Sequence, residues 1–176
     1  MAHETKAEGA DAAPSVLEAI AAWPVRIAGA VSAALILAVF ALVIYAIFQR
    51  YFLGTPLKWG DEMLGYLLVA LVMCGAAEAF RRGDHIAIDL LPARVGPAAK
   101  TGLDLLASAA VVAFSAVLAH STWHSMQFAY GFGSYSQGYL EVATWIPQIP
   151  MFVGACLLGL MAAVRLVSTL IAAFRR

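Results

Sequence analysis

The sequence predicts an all-α integral membrane protein with four transmembrane helices, both termini cytoplasmic, and a short N-terminal interfacial amphipathic helix. Three observations predict it. The residues are 62% apolar and only 12% charged, with a mean hydropathy of +0.83, whereas a soluble domain carries about 25% charged residues. The apolar residues are gathered into four long runs separated by short polar stretches. The basic residues cluster in alternate connections, which fixes an orientation. Acidic and basic side chains balance at 11 each, so net charge gives no reason to expect a nucleic-acid partner. A chain of 176 residues accommodates a small helical bundle and no second globular domain.

Residues 1–14 mix charges, Ala and Gly without periodicity and read as a disordered cytoplasmic start. The membrane domain then runs over 15–176. Ser15-Val-Leu-Glu18 has capping-box spacing, in which a hydroxyl and a carboxylate satisfy each other's backbone N–H groups. Val16, Leu17, Ile20 and Trp23 share one face of the turns that follow. That pattern predicts a short helix along the membrane surface, with Trp23 at headgroup level and Pro24 redirecting the chain.

The first span covers 27–49, a stretch without a charged side chain and about 34 Å long as a helix, enough to cross hydrocarbon. Arg26 and Arg50 bracket it; a secretory signal has a shorter apolar core and a small-residue cleavage site. The second span covers 63–80 and contains Glu78. The third covers 102–124, turning amphipathic through His120, Trp123 and His124, and the fourth covers 146–174, interrupted by Arg165. Arg81, Arg82, Arg94 and Lys100 lie between the second and third spans, and Lys6, Arg26, Arg175 and Arg176 fall on the same side. The opposite side keeps only Arg50 and Lys58. Lys and Arg resist translocation, so the basic side is cytoplasmic.

Few residues within the spans could carry chemistry. Glu78 is the only acid deep in a span, and intramembrane carboxylates are functional candidates because burying a charge in lipid costs several kcal/mol (about 3 kcal/mol on insertion scales). Arg81 and Arg82 lie three and four residues on, which places all three on one helical face and favours an ion-paired carboxylate over a proton or sodium ligand. His120 and His124 share a face, yet no Asp, Glu or Cys in the neighbouring turns completes a metal site, and haem would need His on a second span. Arg165 is explained most simply by snorkelling to the headgroups; a pair with Glu78 or Asp104 is the sharper alternative. Ala155, Gly159 and Ala163 recur at every fourth position, which lets another helix, internal or foreign, approach closely. Asp61 and Glu62 open the second helix, where carboxylates favour the positive end of its dipole, and Trp59 precedes them at interface depth. Cys74 and Cys156 lie within apolar runs without CxxC spacing and read as buried free thiols. No cofactor is implied.

As an ordered set, Arg50-Tyr-Phe-Leu-Gly-Thr-Pro56-Leu-Lys-Trp59-Gly-Asp-Glu62 followed by Gly75-Ala-Ala-Glu-Ala-Phe-Arg81-Arg-Gly83-Asp-His85-Ile86-Ala-Ile-Asp89-Leu-Leu resembles the signature of the small permease subunit of tripartite ATP-independent periplasmic (TRAP) transporters. Ser136-Gln-Gly138-Tyr-Leu-Glu-Val-Ala-Thr-Trp145-Ile-Pro147-Gln-Ile-Pro150 is similar to the stretch leading into that family's fourth helix. The positions that match are Trp59, Glu62, Gly75, Arg81, Gly83, His85, Ile86 and Asp89. The resemblance implies a bacterial inner-membrane scaffold without enzymatic activity. It would brace a large membrane subunit that holds the substrate and sodium sites, and help dock a periplasmic binding protein during uptake of an organic acid. With Glu78, Arg82 and Arg165 added, the matching positions are candidates for subunit contacts or structural roles. Membrane lipid is the remaining partner. Gly83 would suit a helix end that needs positive φ.

Three rival functions fit less well. A self-contained small multidrug or cation exporter needs a carboxylate deep in its first span, and this one has none. An electron-transfer subunit needs paired His on separate spans. An intramembrane protease needs a Gly-x-Ser-Gly element or paired Asp, and neither occurs.

Overall fold

The computed structural model describes residues 16–82 and 97–174, with side chains described over 21–82 and 101–171. Four helices follow in order: α1 Val16–Phe52, α2 Gly60–Arg82, α3 Pro97–Gly131 and α4 Ile149–Phe174. Each contains a stretch long and apolar enough to cross a membrane, namely Ala21–Phe52, Gly60–Arg82, Thr101–Gly131 and Ile149–Ile171. The shortest stretches have 23 residues and are about 34 Å long, against about 30 Å of hydrocarbon. The predicted all-α class, with four helices able to span a membrane, is therefore observed.

The helices do not form a closed four-helix bundle. Among the described residues α1, α2 and α4 pack on one another, whereas α3 packs on α4 alone. Ala21, Val25, Ala77, Phe80, Leu158, Met161 and Ala162 make one buried cluster where α1, α2 and α4 meet. In α4 the inward face is Gly154, Ala155, Leu158, Met161 and Ala162, a helical stripe.

Small residues set the close approaches. A Cβ built on Gly154 would lie 2.5 Å from the carbonyl oxygen of Met73 in α2, so any larger residue would push two backbones apart. One on Gly159 would lie 2.7 Å from the Ser115 hydroxyl of α3, and one on Gly75 2.8 Å from the Ser32 hydroxyl of α1. Of the row Ala155, Gly159 and Ala163, then, Ala155 is buried, Gly159 meets α3 and Ala163 is half-buried. The tightest contact belongs to their neighbour Gly154. Hydroxyls within the helices find carbonyls, as a dry environment demands: Ser32 Oγ donates to Leu71 O across α1 and α2 at 2.9 Å, and Thr122 Oγ1 donates to Leu118 O at 2.8 Å.

Four boundary or burial expectations change. The separate surface helix ending at Pro24 is not observed: α1 runs through Pro24 without a break. An interior proline costs about 3 kcal/mol, and burial of Ala21, Val25 and Ala28 on one side of it offsets that cost, while Trp23 is 70% exposed on the other. α3 extends past residue 124 to Gly131, because no glycine or proline intervenes to stop it. It ends in a Schellman motif: Ser134 N–H donates to Ala129 O at 3.0 Å, Gly133 N–H donates to Tyr130 O at 3.2 Å, and Gly133 has φ 60°. α4 begins at Ile149 rather than 146, with Pro150 in its first turn, where a missing N–H costs nothing. Finally, Cys156 is exposed and Cys74 half-buried. Cys156 lies one residue past Ala155 and is turned about 100° from the inward stripe.

Candidate functional site

Polar side chains concentrate at the two ends of α2. Glu62 and Glu78 are 16 positions apart in the sequence, about 24 Å along a helix, so each belongs to a different end of the span.

At the C-terminal end, Glu78 is buried and accepts three charge-assisted hydrogen bonds. Arg81 Nε donates to Oε2 and Arg81 Nη2 to Oε1, each at 2.7 Å, and Arg82 Nε donates to Oε1 at 2.7 Å. The i,i+3 and i,i+4 spacing produces this geometry directly. Gly29 in α1 makes room for the acid, since a Cβ there would lie 2.7 Å from Glu78 Cγ. Arg165 joins neither Glu78 nor Asp104: its guanidinium stands over the Phe80 ring at 5.5 Å from the centroid, a cation–π contact that holds it beside the cluster. The alternative of a pair with Glu78 fails because the carboxylate is already taken by its own helix. Gly83, His85, Ile86 and Asp89 lie outside the described residues.

At the N-terminal end, Glu62 does more than face the helix dipole. Its Oε1 accepts from Tyr66 Oη at 2.7 Å and from Ser136 Oγ, and its Oε2 accepts from the Leu140 N–H at 3.2 Å. Ser136 and Leu140 belong to the connection between α3 and α4. There Ser136 N–H donates to Val142 O at 2.8 Å and Thr144 N–H donates to Ser134 O at 3.0 Å, with Tyr135 and Ala143 bridged in antiparallel fashion. The Ser136 hydroxyl also accepts from the Gly138 N–H at 3.2 Å. Gly138 lies so close to the Glu62 carboxylate that a Cβ would collide with it. One acid in α2 thus holds a folded loop 74 residues further on. The loop turns Phe132, Tyr135 and Tyr139 outward, all at least 66% exposed, and Lys58 stands over the Tyr139 ring at 5.7 Å from the centroid. Trp59 is at the margin of this region and its carbonyl accepts from the Met63 N–H at 3.1 Å.

The loop contact was not apparent from the sequence. The Glu62-to-Tyr66 spacing of four was visible, but nothing local announces that Ser136 and Leu140 return to the same carboxylate. In α3, His120 and His124 stack edge to face with centroids 4.6 Å apart.

This arrangement offers an internally neutralised acid at one end, a tethered aromatic loop at the other, and long apolar helix faces between them. Such features suit assembly and support within a membrane. Comparison with curated proteins finds no match. Residues 39–172 match the family model for "Tripartite ATP-independent periplasmic transporters, DctQ component", a stretch that includes both glutamate clusters and all of α2 and α3. The chain therefore belongs to the DctQ family, as the small permease component of a TRAP transporter: a multi-pass inner-membrane protein and not an enzyme.

Proposed function

We propose that this chain braces the large membrane subunit of its transporter and presents the α3–α4 loop as part of the docking surface for the periplasmic binding protein. The transport it serves is ion-gradient-driven uptake of an organic acid, with sodium as the coupling ion. The observation that carries the reading is the Glu62 tether. It stabilises a loop with exposed aromatic side chains at one end of the molecule, and aromatic residues are enriched at protein interfaces. The packing supplies the bracing surface: among the described residues α3 contacts α4 alone, and α1 leaves Ile36, Leu37, Phe40, Ile44 and Phe48 exposed.

Docking requires the tethered loop to face the periplasm. With Cys74 and Cys156 replaced by alanine, a cysteine introduced at Ser134 is expected to react with a membrane-impermeant thiol reagent in intact cells. One introduced at Arg94 is expected to be shielded until the membrane is permeabilised. The reverse labelling pattern overturns the orientation and the docking role together.

A further inference from the structure

Between α1 and α2, at the end where Glu78 lies, the surface opens into a cleft of about 440 Å³. Arg26, Gly29, Ala30 and Ala33 of α1 form one wall, and the Glu78, Arg81 and Arg82 cluster forms the other. Among the described residues three guanidinium groups line the cleft with one carboxylate, an excess of two positive charges. Glu78 engages Arg81 through Nε and Nη2 and Arg82 through Nε alone. The terminal nitrogens of Arg82 and the whole guanidinium of Arg26 have no partner among the described residues. Both side chains are exposed, Arg82 to 63%.

The shape of the cleft narrows what could answer that charge. Its floor on α1 is made of the smallest side chains, and Ala30 and Ala33 continue on the same helical face to Leu37, three, four and seven positions being near neighbours on a helix. Leu37 is 70% exposed. A ligand seated here would have an anionic group between Arg26 and Arg82 and an apolar extension lying along Ala33 and Leu37. Guanidinium forks bind phosphate oxygens in pairs, and basic pockets between membrane helices suit phospholipid headgroups. A zwitterionic headgroup brings its own ammonium and so carries no net charge to set against the excess, whereas phosphatidylglycerol brings one net negative charge. We propose that this cleft is a binding site for an anionic phospholipid of the phosphatidylglycerol class, with its phosphate held by Arg26 and Arg82 and one acyl chain along the α1 groove. Glu78 has a positioning role here, fixing Arg81 and Arg82 at the rim.

Native mass spectrometry of the purified full-length chain, delipidated and then given phosphatidylglycerol, phosphatidylethanolamine or inorganic phosphate, tests the site. The parent chain is expected to retain phosphatidylglycerol about tenfold more than phosphatidylethanolamine, and Arg26→Gln/Arg82→Gln to lose about tenfold of that retention. Both replaced residues are exposed, and Arg81 keeps its two bonds to Glu78 in this variant, so the fold is retained. Ala30→Leu, which fills the floor and leaves every charge, is expected to lose retention as well. Arg50→Gln/Lys58→Gln, which removes as much charge elsewhere, is expected to behave as the parent. Unchanged retention in the Arg26/Arg82 variant overturns the proposal, as does equal loss in the Arg50/Lys58 control, which would mean unspecific attraction. Retention of inorganic phosphate equal to that of phosphatidylglycerol would mark a free-anion site and also overturn it.

Discussion

Replacing Arg81 and Arg82 together by alanine is expected to cause the largest loss of assembled complex among substitutions in the Glu78 cluster. Glu78 has a side chain only 11% exposed and, among the described residues, receives its three hydrogen bonds from these two. Without them a carboxylate is left unpaired in an apolar bundle, at a cost of about 3–5 kcal/mol, a large part of a small protein's stability. The geometry also ranks the milder variants. Arg81→Ala removes two of the three bonds but leaves Arg82 in place, so it is less damaging than the double replacement. Glu78→Ala removes the acid and opens a void beside Gly29. Glu78→Gln keeps the shape and one acceptor, and is expected to be the mildest. Uptake by the reconstituted complex should fall only in proportion to the amount of large subunit that copurifies. Normal assembly of Glu78→Gln with uptake abolished would mean that the acid belongs to a transport site instead.

The second large effect is expected at the other end of α2. Glu62→Ala deletes the acceptor for Tyr66, Ser136 and the Leu140 N–H at once, and Gly138→Val forces a side chain into the space the carboxylate occupies. Both release the loop by different means while leaving the α1, α2 and α4 core untouched. Both are therefore expected to raise about tenfold the concentration of binding protein needed for half-maximal uptake, the scale of one or two lost polar contacts. Maximal uptake and copurified large subunit should stay near the parent values. Ser136→Ala removes one of the three contacts and should fall between. A loss of maximal uptake without a change in the binding-protein requirement would show that the tether serves stability and not docking.

The parts of this fold that were legible in the sequence are those encoded locally. An uncharged run from Ile27 to Gln49 can only be a span or a buried helix, and Glu78 followed at three and four positions by Arg81 and Arg82 dictates its own ion pair. Contacts that depend on two distant segments were not legible. The loop held by Glu62 needs Ser136 to return from 74 residues further on, and the close approach of Gly154 to Met73 depends on how α2 and α4 cross. Pro24 shows the opposite failure. Its local preference is to end a helix, and burial of Ala21, Val25 and Ala28 overrides it. The small-residue row was visible as a pattern, but which member makes the tightest contact depends on the rotation of α4, which tertiary packing sets.

On the proposed function, this chain supports transport without carrying it out. The most direct measurement is substrate uptake into proteoliposomes under an imposed sodium gradient, with this chain alone, with the large subunit and binding protein alone, and with all three. The expected result is uptake only when all three are present, with no accumulation by this chain on its own. Sodium-driven uptake by the purified single chain would contradict a supporting role.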